Sequence, residues 1–238
     1  MRYRFYLVLF FALSHLKVSA QETTKVTRKL TNTITENFLV LNNGNTRHGM
    51  YQALYKKKIA IASGAYNNGK RVGLWQFYNN RGTVVQSYNF DKQQFVFEAP
   101  EDSTSNIHYF IDRTFDTIQV ANAKADKPLR IGGCYYGYMP YVSLFRIPKR
   151  YTRADYDFSK IKVVVELLVS QGGRLADYTV HLVYQPTNEL MEDIRMNLKL
   201  PNPDDLIFTP ATYNGEPVAC RIMIECTLND NGTIDFLK

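Results

Sequence analysis

The sequence predicts a mainly β protein with an α+β unit at its C-terminal end, and three observations carry that prediction. First, Ile161, Val163, Val165, Leu167 and Val169 alternate with Lys162, Val164, Glu166, Leu168 and Ser170. Side chains of a strand point to opposite faces in turn, so this segment is a strand with one strongly apolar face. Second, Gly172 and Gly173 follow at once, and the alternation resumes with Ala176, Tyr178, Val180, Leu182 and Tyr184 against Asp177, Thr179 and His181. Paired glycines supply the positive φ angles of a tight turn, so Ile161 to Tyr184 reads as a β-hairpin. Third, an aromatic-rich segment between Asn43 and Phe95 repeats itself at an offset of 24 residues.

The chain opens with a short basic start, Met1-Arg2-Tyr3-Arg4, followed by an apolar run from Phe5 to Leu13 and small residues at Val18-Ser19-Ala20. That order is expected of a secretory signal peptide, residues 1–20, cut before Gln21. The run breaks at Ser14 and His15, short of the roughly 20 apolar residues that a membrane anchor needs. Removing it also removes Arg2, Arg4 and Lys17 and takes the formal charge from +7 to +4, too mild a surplus to argue for nucleic acid. The densest basic run, Lys56-Lys57-Lys58, reads as a solvated loop or strand end. The expected location is therefore the periplasm or cell envelope, with no integral membrane segment after cleavage. Three cysteines, Cys134, Cys220 and Cys226, remain in the exported chain. Cys220 and Cys226 fall on one face of one strand about 20 Å apart, beyond the reach of a disulfide.

Residues 21–37 are polar and Thr-rich and read as a flexible leader. Residues 38–97 form the repeat module, with a first strand at Phe38 to Leu41. His48-Gly49-Met50-Tyr51-Gln52-Ala53-Leu54-Tyr55 aligns with Val72-Gly73-Leu74-Trp75-Gln76-Phe77-Tyr78, Ile61 with Val85, and Tyr66 with Phe90. Asn67-Asn68-Gly69-Lys70 and Asn79-Asn80-Arg81-Gly82 are the turns, because Asn and Gly tolerate left-handed backbone. Hairpins too small to bury their own faces must stack into one continuous antiparallel β-layer. Trp75, the single Trp, is expected in its core. The pattern of Gly64, Tyr66, Asn68, Gly69, Lys70, Gly73, Trp75 and Tyr78 resembles the MORN-type repeat, in the variant found in toxin–antitoxin-like proteins.

Residues 98–130 are a connector, polar over Glu98 to Ser105 and Ala121 to Lys127, with short strands expected at Ile107 to Phe115 and Thr117 to Val120. Residues 131–238 form the last unit. After the hairpin, Thr187 is placed to cap a helix in which Leu190, Met191, Ile194 and Leu198 recur at helical spacing, stopped by Pro201 and Pro203. A strand from Val218 to about Leu228 carries Val218, Cys220, Ile222, Ile224 and Cys226 on one face. The expectation is a three-stranded antiparallel sheet covered by that helix.

Phe208, Pro210, Ala211, Asn214, Gly215, Pro217 and Val218, placed between this helix and this strand, resemble the C-terminal domain of TonB-type energy transducers, as found in envelope proteins of Bacteroidetes-like bacteria. The resemblance covers Ile131 to Leu228. In that family a Gly-Gly such as Gly132-Gly133 precedes a helix and a Tyr-Pro motif; this chain has Ile147-Pro148 instead. The resemblance implies a partner held by β-strand addition at the last strand, through Ala219, Arg221, Met223, Glu225 and Thr227, the partner being a protein of the envelope such as a segment of an outer-membrane receptor. It also implies a link to outer-membrane transport, although the chain has only 9 prolines and no Pro-rich span of the kind a transducer uses.

A search for chemistry finds no metal-ligand spacing, no nucleophile motif and no phosphate-binding loop. His48, His108 and His181 stand far apart, and Glu192-Asp193 are neighbours that do not face one another on a helix. No cofactor is expected, and the protein is expected not to be an enzyme. Two alternatives stay open from the sequence: an active site assembled from distant loops, and a lipid-surface scaffold built on the repeats.

Overall fold

The computed structural model describes residues 22–42, 44–100, 106–111, 124–152 and 157–236. The expected signal peptide and the expected strand at Thr117 to Val120 lie outside them. The molecule is mainly β and its sheets are antiparallel.

The first sheet has seven strands in sequence order: β1 (Thr23–Lys29), β2 (Ile34–Leu41), β3 (Arg47–Tyr55), β4 (Ile59–Asn67), β5 (Lys70–Tyr78), β6 (Val84–Asn89) and β7 (Gln94–Glu98). The repeated unit is thus a hairpin meander, as its turns require. The leader expected over residues 21–37 is instead β1 and the start of β2, paired from Thr23↔Leu41 to Lys29↔Thr35. Its Thr and Val residues suit a strand, and the open side of β2 supplies the backbone partners that such a polar segment lacks alone. One face of the meander is an aromatic row. Trp75 is fully buried, stacked on Tyr51 at 5.2 Å and edge-on to Tyr66 at 5.2 Å and Phe90 at 5.7 Å. Gly64 makes this possible, because a Cβ there would lie 2.2 Å from the Trp75 ring.

The second sheet runs β12 (Glu189–Arg195), β11 (Leu175–Tyr184), β10 (Ile161–Val169), β15 (Cys220–Leu228), β16 (Ile234–Phe236), and β8 (Ile107–Ile111) also pairs with β15. The predicted hairpin is β10–β11, with Val165 opposite Val180 and a bulge that pairs Val169 with Leu175. That bulge puts Leu175, rather than Ala176, on the buried face. Gly173 adopts φ 72°, and a Cβ on it would sit 2.4 Å from the Phe208 carbonyl.

Two expectations for this unit are corrected. The sheet has six strands, not three, and the helix expected from Thr187 to Leu198 is the strand β12, paired with β11 from Tyr184↔Glu189 to Thr179↔Arg195. Asn188 takes φ 56°, so Gln185 to Asn188 closes a hairpin turn with Pro186 inside it. The free side of β11 offers a full ladder of backbone partners, and that outweighs a weak local helical pattern.

The cover over the inner face comes from upstream. Gly132-Gly133 leads into the short helices α1 (Gly133–Tyr136) and α2 (Met139–Leu144), and Tyr138, Met139, Tyr141, Val142 and Phe145 are buried against the sheet. Tyr141 meets Tyr178 edge-on at 5.7 Å and stacks on Phe208 at 6.4 Å. A third, small sheet joins β9 (Ala125–Asp126), β13 (Ala211–Tyr213) and β14 (Glu216–Val218). Asn214 and Gly215, both at positive φ, form its two-residue turn.

The two large sheets meet through α1. The Tyr136 hydroxyl donates to the Tyr51 hydroxyl at 2.9 Å, and its ring stacks on Phe77 at 5.8 Å. Gly133 packs directly on the first sheet, where a Cβ would come within 3.0 Å of Val85 and 3.2 Å of Phe77.

Candidate functional site

The residues expected at an edge do not lie at one. Strand β15 is paired with β10 on one side, from Lys162↔Thr227 to Val169↔Cys220. On the other side it is paired with β8, from Ile224↔Ile107 to Cys220↔Ile111, and with β16 at Cys226 to Leu228. Ala219 is the residue before it. Arg221, Met223, Glu225 and Thr227 therefore stand inside the sheet, on its open face, and the backbone there has no vacancy for a guest strand. The cause is the connector: β8 lies far upstream in sequence and no local pattern announces that it returns to β15.

One edge of this sheet is β12, paired only with β11; the opposite edge is made by β8 and β16, each paired only with β15. The Met196 amide donates inward to the Tyr178 carbonyl at 2.8 Å. Amides alternate along a strand, so the Ile194 amide also points to β11, and those of Asp193 and Arg195 point away. Leu190 is 58% exposed on this strand. Glu192 faces the other way and is held by Tyr151, whose hydroxyl donates to it at 2.8 Å, and by Arg150. Leu190, Asp193 and Arg195 were missed by the sequence reading because they were assigned to a helix; Asn188 after Pro186 is the turn signal that would have found them.

The open face beside this edge carries a band of charge. Asp193 on β12 and Glu166 on β10 bracket the His181 ring of β11, at 2.6 Å to Nδ1 and 3.1 Å to Nε2. Arg221 on β15 approaches Glu166 at 3.8 Å, and Lys162 pairs with Glu225 at 2.5 Å. This is where the sequence placed His181, but not with these partners, which come from other strands. Among the described residues no group of three or more His, Cys, Asp or Glu side chains is arranged to hold a metal ion.

A concavity lies between the sheets. It is a cleft of about 320 Å³ lined by residues of β6, β7, α1 and the segment before it, among them Gln86, Glu98, Lys127, Arg130 and Tyr138. Gln86 is its central group. Its Oε1 accepts from the Gly132 and Gly133 amides at 2.7 and 3.0 Å, and its Nε2 donates to Glu98 at 2.8 Å and to the Arg130 carbonyl at 3.0 Å. Every donor and acceptor position of the amide is used. Burial pushes the Glu98 carboxyl above the usual carboxylate value, against the pull of Gln86 and of Lys127 at 3.7 Å. Arg130 is committed as well, donating to the Gly137 carbonyl and pairing with Asp205 at 2.5 Å. The polar groups of the cleft thus satisfy one another and join the sheets. Burial also raises Tyr138, in contact with Tyr109.

No helix among the described residues is long and apolar enough to cross a membrane. Comparison of the chain with protein-family models and with curated proteins found no match to either.

Proposed function

We propose that this chain is a non-enzymatic interaction protein of the cell envelope, exported by cleavage near Gln21, in which a MORN-like β-layer carries a TonB-like unit that captures a protein partner by β-strand addition. In this reading the docking strand is β12, not β15. The single observation that carries it is that β12 is paired on one side only, with the Asp193 and Arg195 amides directed away from β11. Such an edge can accept an extended peptide as a further strand, with backbone hydrogen bonds giving affinity and alternate side chains giving choice. The side chains beside it are Leu190, Asp193 and Arg195 on the open face and Met191 and Ile194 near the core, a mixed set able to read a guest. A link to outer-membrane transport is part of the same reading and follows from the resemblance alone.

The test is Arg195→Pro. Proline removes an outward donor and is tolerated at an edge. The Arg195 side chain is 79% exposed and, among the described residues, pairs only with Asp177, so folding is expected to persist. Crosslinking from envelope fractions should yield a partner with the wild type and lose it with a folded Arg195→Pro variant. Retention of every partner by the folded variant sinks the β12 assignment. Intact-mass measurement that finds residues 1–20 retained, with membrane fractionation, sinks the exported form of the proposal.

A further inference from the structure

We infer that Arg71 is a receptor for a carboxylate supplied from outside the described residues, because the repeat builds the same arginine frame twice and, among the described residues, gives only one copy an acid of its own. The 24-residue offset that aligns Tyr51 with Trp75 and Tyr66 with Phe90 also aligns Arg47 with Arg71. In the first unit the Arg47 guanidinium lies 4.4 Å from the Phe38 ring centre, 5.4 Å from Tyr51 and 5.3 Å from Tyr66. In the second the Arg71 guanidinium lies 5.1 Å from Trp75, 5.5 Å from Phe90 and 5.7 Å from Tyr136. Tyr66 joins the two frames, its hydroxyl accepting from Arg47 at 3.1 Å and from Arg71 Nε at 3.5 Å.

The frames differ in their anion. Arg47 holds Glu36 at 3.0 and 3.2 Å, and Glu36 also accepts from Arg28 at 2.6 Å and from Tyr51 at 2.9 Å. Glu36 stands opposite Ala53 on the neighbouring strand; the repeat partner of Ala53 is Phe77, and the residue opposite Phe77 is Ala62. The carboxylate of the first unit is therefore an alanine methyl in the second. Arg71 makes no ion pair with any described carboxylate, and its terminal nitrogens have no acceptor among the described residues. Asp205 is near enough to feel its charge but is bound to Arg130. Arginine cannot shed its charge in a protein, so a half-buried guanidinium among rings gains most from a planar, bidentate anion. Because Tyr66 accepts from both arginines, its own hydroxyl proton is available to the same anion. The frame already holds a carboxylate in its first copy, which sets the ligand class: a carboxylate, on a small acid or on an acidic peptide. This site is independent of the β12 edge.

Trp75 is the only Trp and lies against Arg71, so its fluorescence reports occupancy directly. The full chain is titrated at constant ionic strength with acetate, succinate and a Glu-rich peptide, with inorganic phosphate as the control. A saturable change with a carboxylate is expected, absent in Arg71→Gln, weakened at least about tenfold in Arg71→Lys, which keeps the charge but loses the fork, and intact in Lys70→Gln. Response to the small acids supports a free metabolite as ligand; response to the peptide alone supports an acidic protein segment. The inference is overturned if no carboxylate gives a saturable response, if the response survives in Arg71→Gln, or if phosphate binds as well as carboxylate. If Arg71→Gln does not fold, Arg71→Lys decides, and unchanged affinity in it overturns the inference.

Discussion

Glu98 shows how one residue reports the seam between the sheets. Its carboxyl is raised because it is buried, and Gln86 and the Lys127 ammonium at 3.7 Å only partly offset this. A carboxyl with a raised folded value favours the protonated fold: its contribution is fully present below the ordinary value of 4.5 and is lost as pH rises through the raised one. Glu98→Gln should therefore raise the melting temperature at neutral pH, and the gain should vanish in acid, where both side chains are neutral. Denaturation of both proteins across that range checks it; a pH-independent difference would show that the charge is irrelevant. Trp75 makes a simpler prediction. It is fully buried among rings, so Trp75→Ala should cost about 3–5 kcal/mol, measured by denaturant unfolding. Its burial was legible in the sequence because the repeat places an aromatic on the core face of each hairpin.

Among the elements, the hairpins are the legible part. Strands β10 and β11 and the turns of the meander are written in alternation and in Gly and Asn, both local signals. Gly64 adds a constraint that the motif shows but does not explain: the Trp75 ring occupies the space of its missing side chain. Gly64→Ala should destabilise the layer by about 1–3 kcal/mol through overpacking. A variant that melts with the wild type would mean that the ring moves freely aside. The strand β12 was illegible for a physical reason. Leu190, Met191, Ile194 and Leu198 fit a helical stripe, and only the ladder offered by β11 decides otherwise. The candidate site failed for a separate reason: β15 was expected to be an edge because no local pattern announces that β8 and β16 pair with it.

At the scale of the whole molecule, the two large sheets are joined by few but well-satisfied groups. Gln86 receives two amides of the Gly132-Gly133 turn. At the far end, Asp235, 4% exposed, accepts from the Thr31 hydroxyl at 3.0 Å and from the Thr33 amide and hydroxyl at 3.1 and 2.7 Å. Gln86→Leu should cost about 1–3 kcal/mol for each buried group left without a partner. It should also uncouple the two sheets, so that the single unfolding transition expected of the wild type splits in two. A single, unshifted transition in the variant would show that the apolar contacts of Tyr136 and Phe77 hold the halves without it.

The sequence by itself determined the mainly β character, the meander, the β10–β11 hairpin and the burial of Trp75, Val163, Val165 and Leu167. All of these follow from a period of two, from turn residues and from an aromatic repeat, which act within a few residues of one another. Only the tertiary structure decided that β8 closes the side of β15, that α1 and α2 rather than residues 187–198 cover the sheet, and that β1 is a strand. Each is a pairing between segments whose own patterns are short or polar. Such segments adopt whatever conformation satisfies the backbone groups of a distant partner, and that partner is fixed only when the chain has folded.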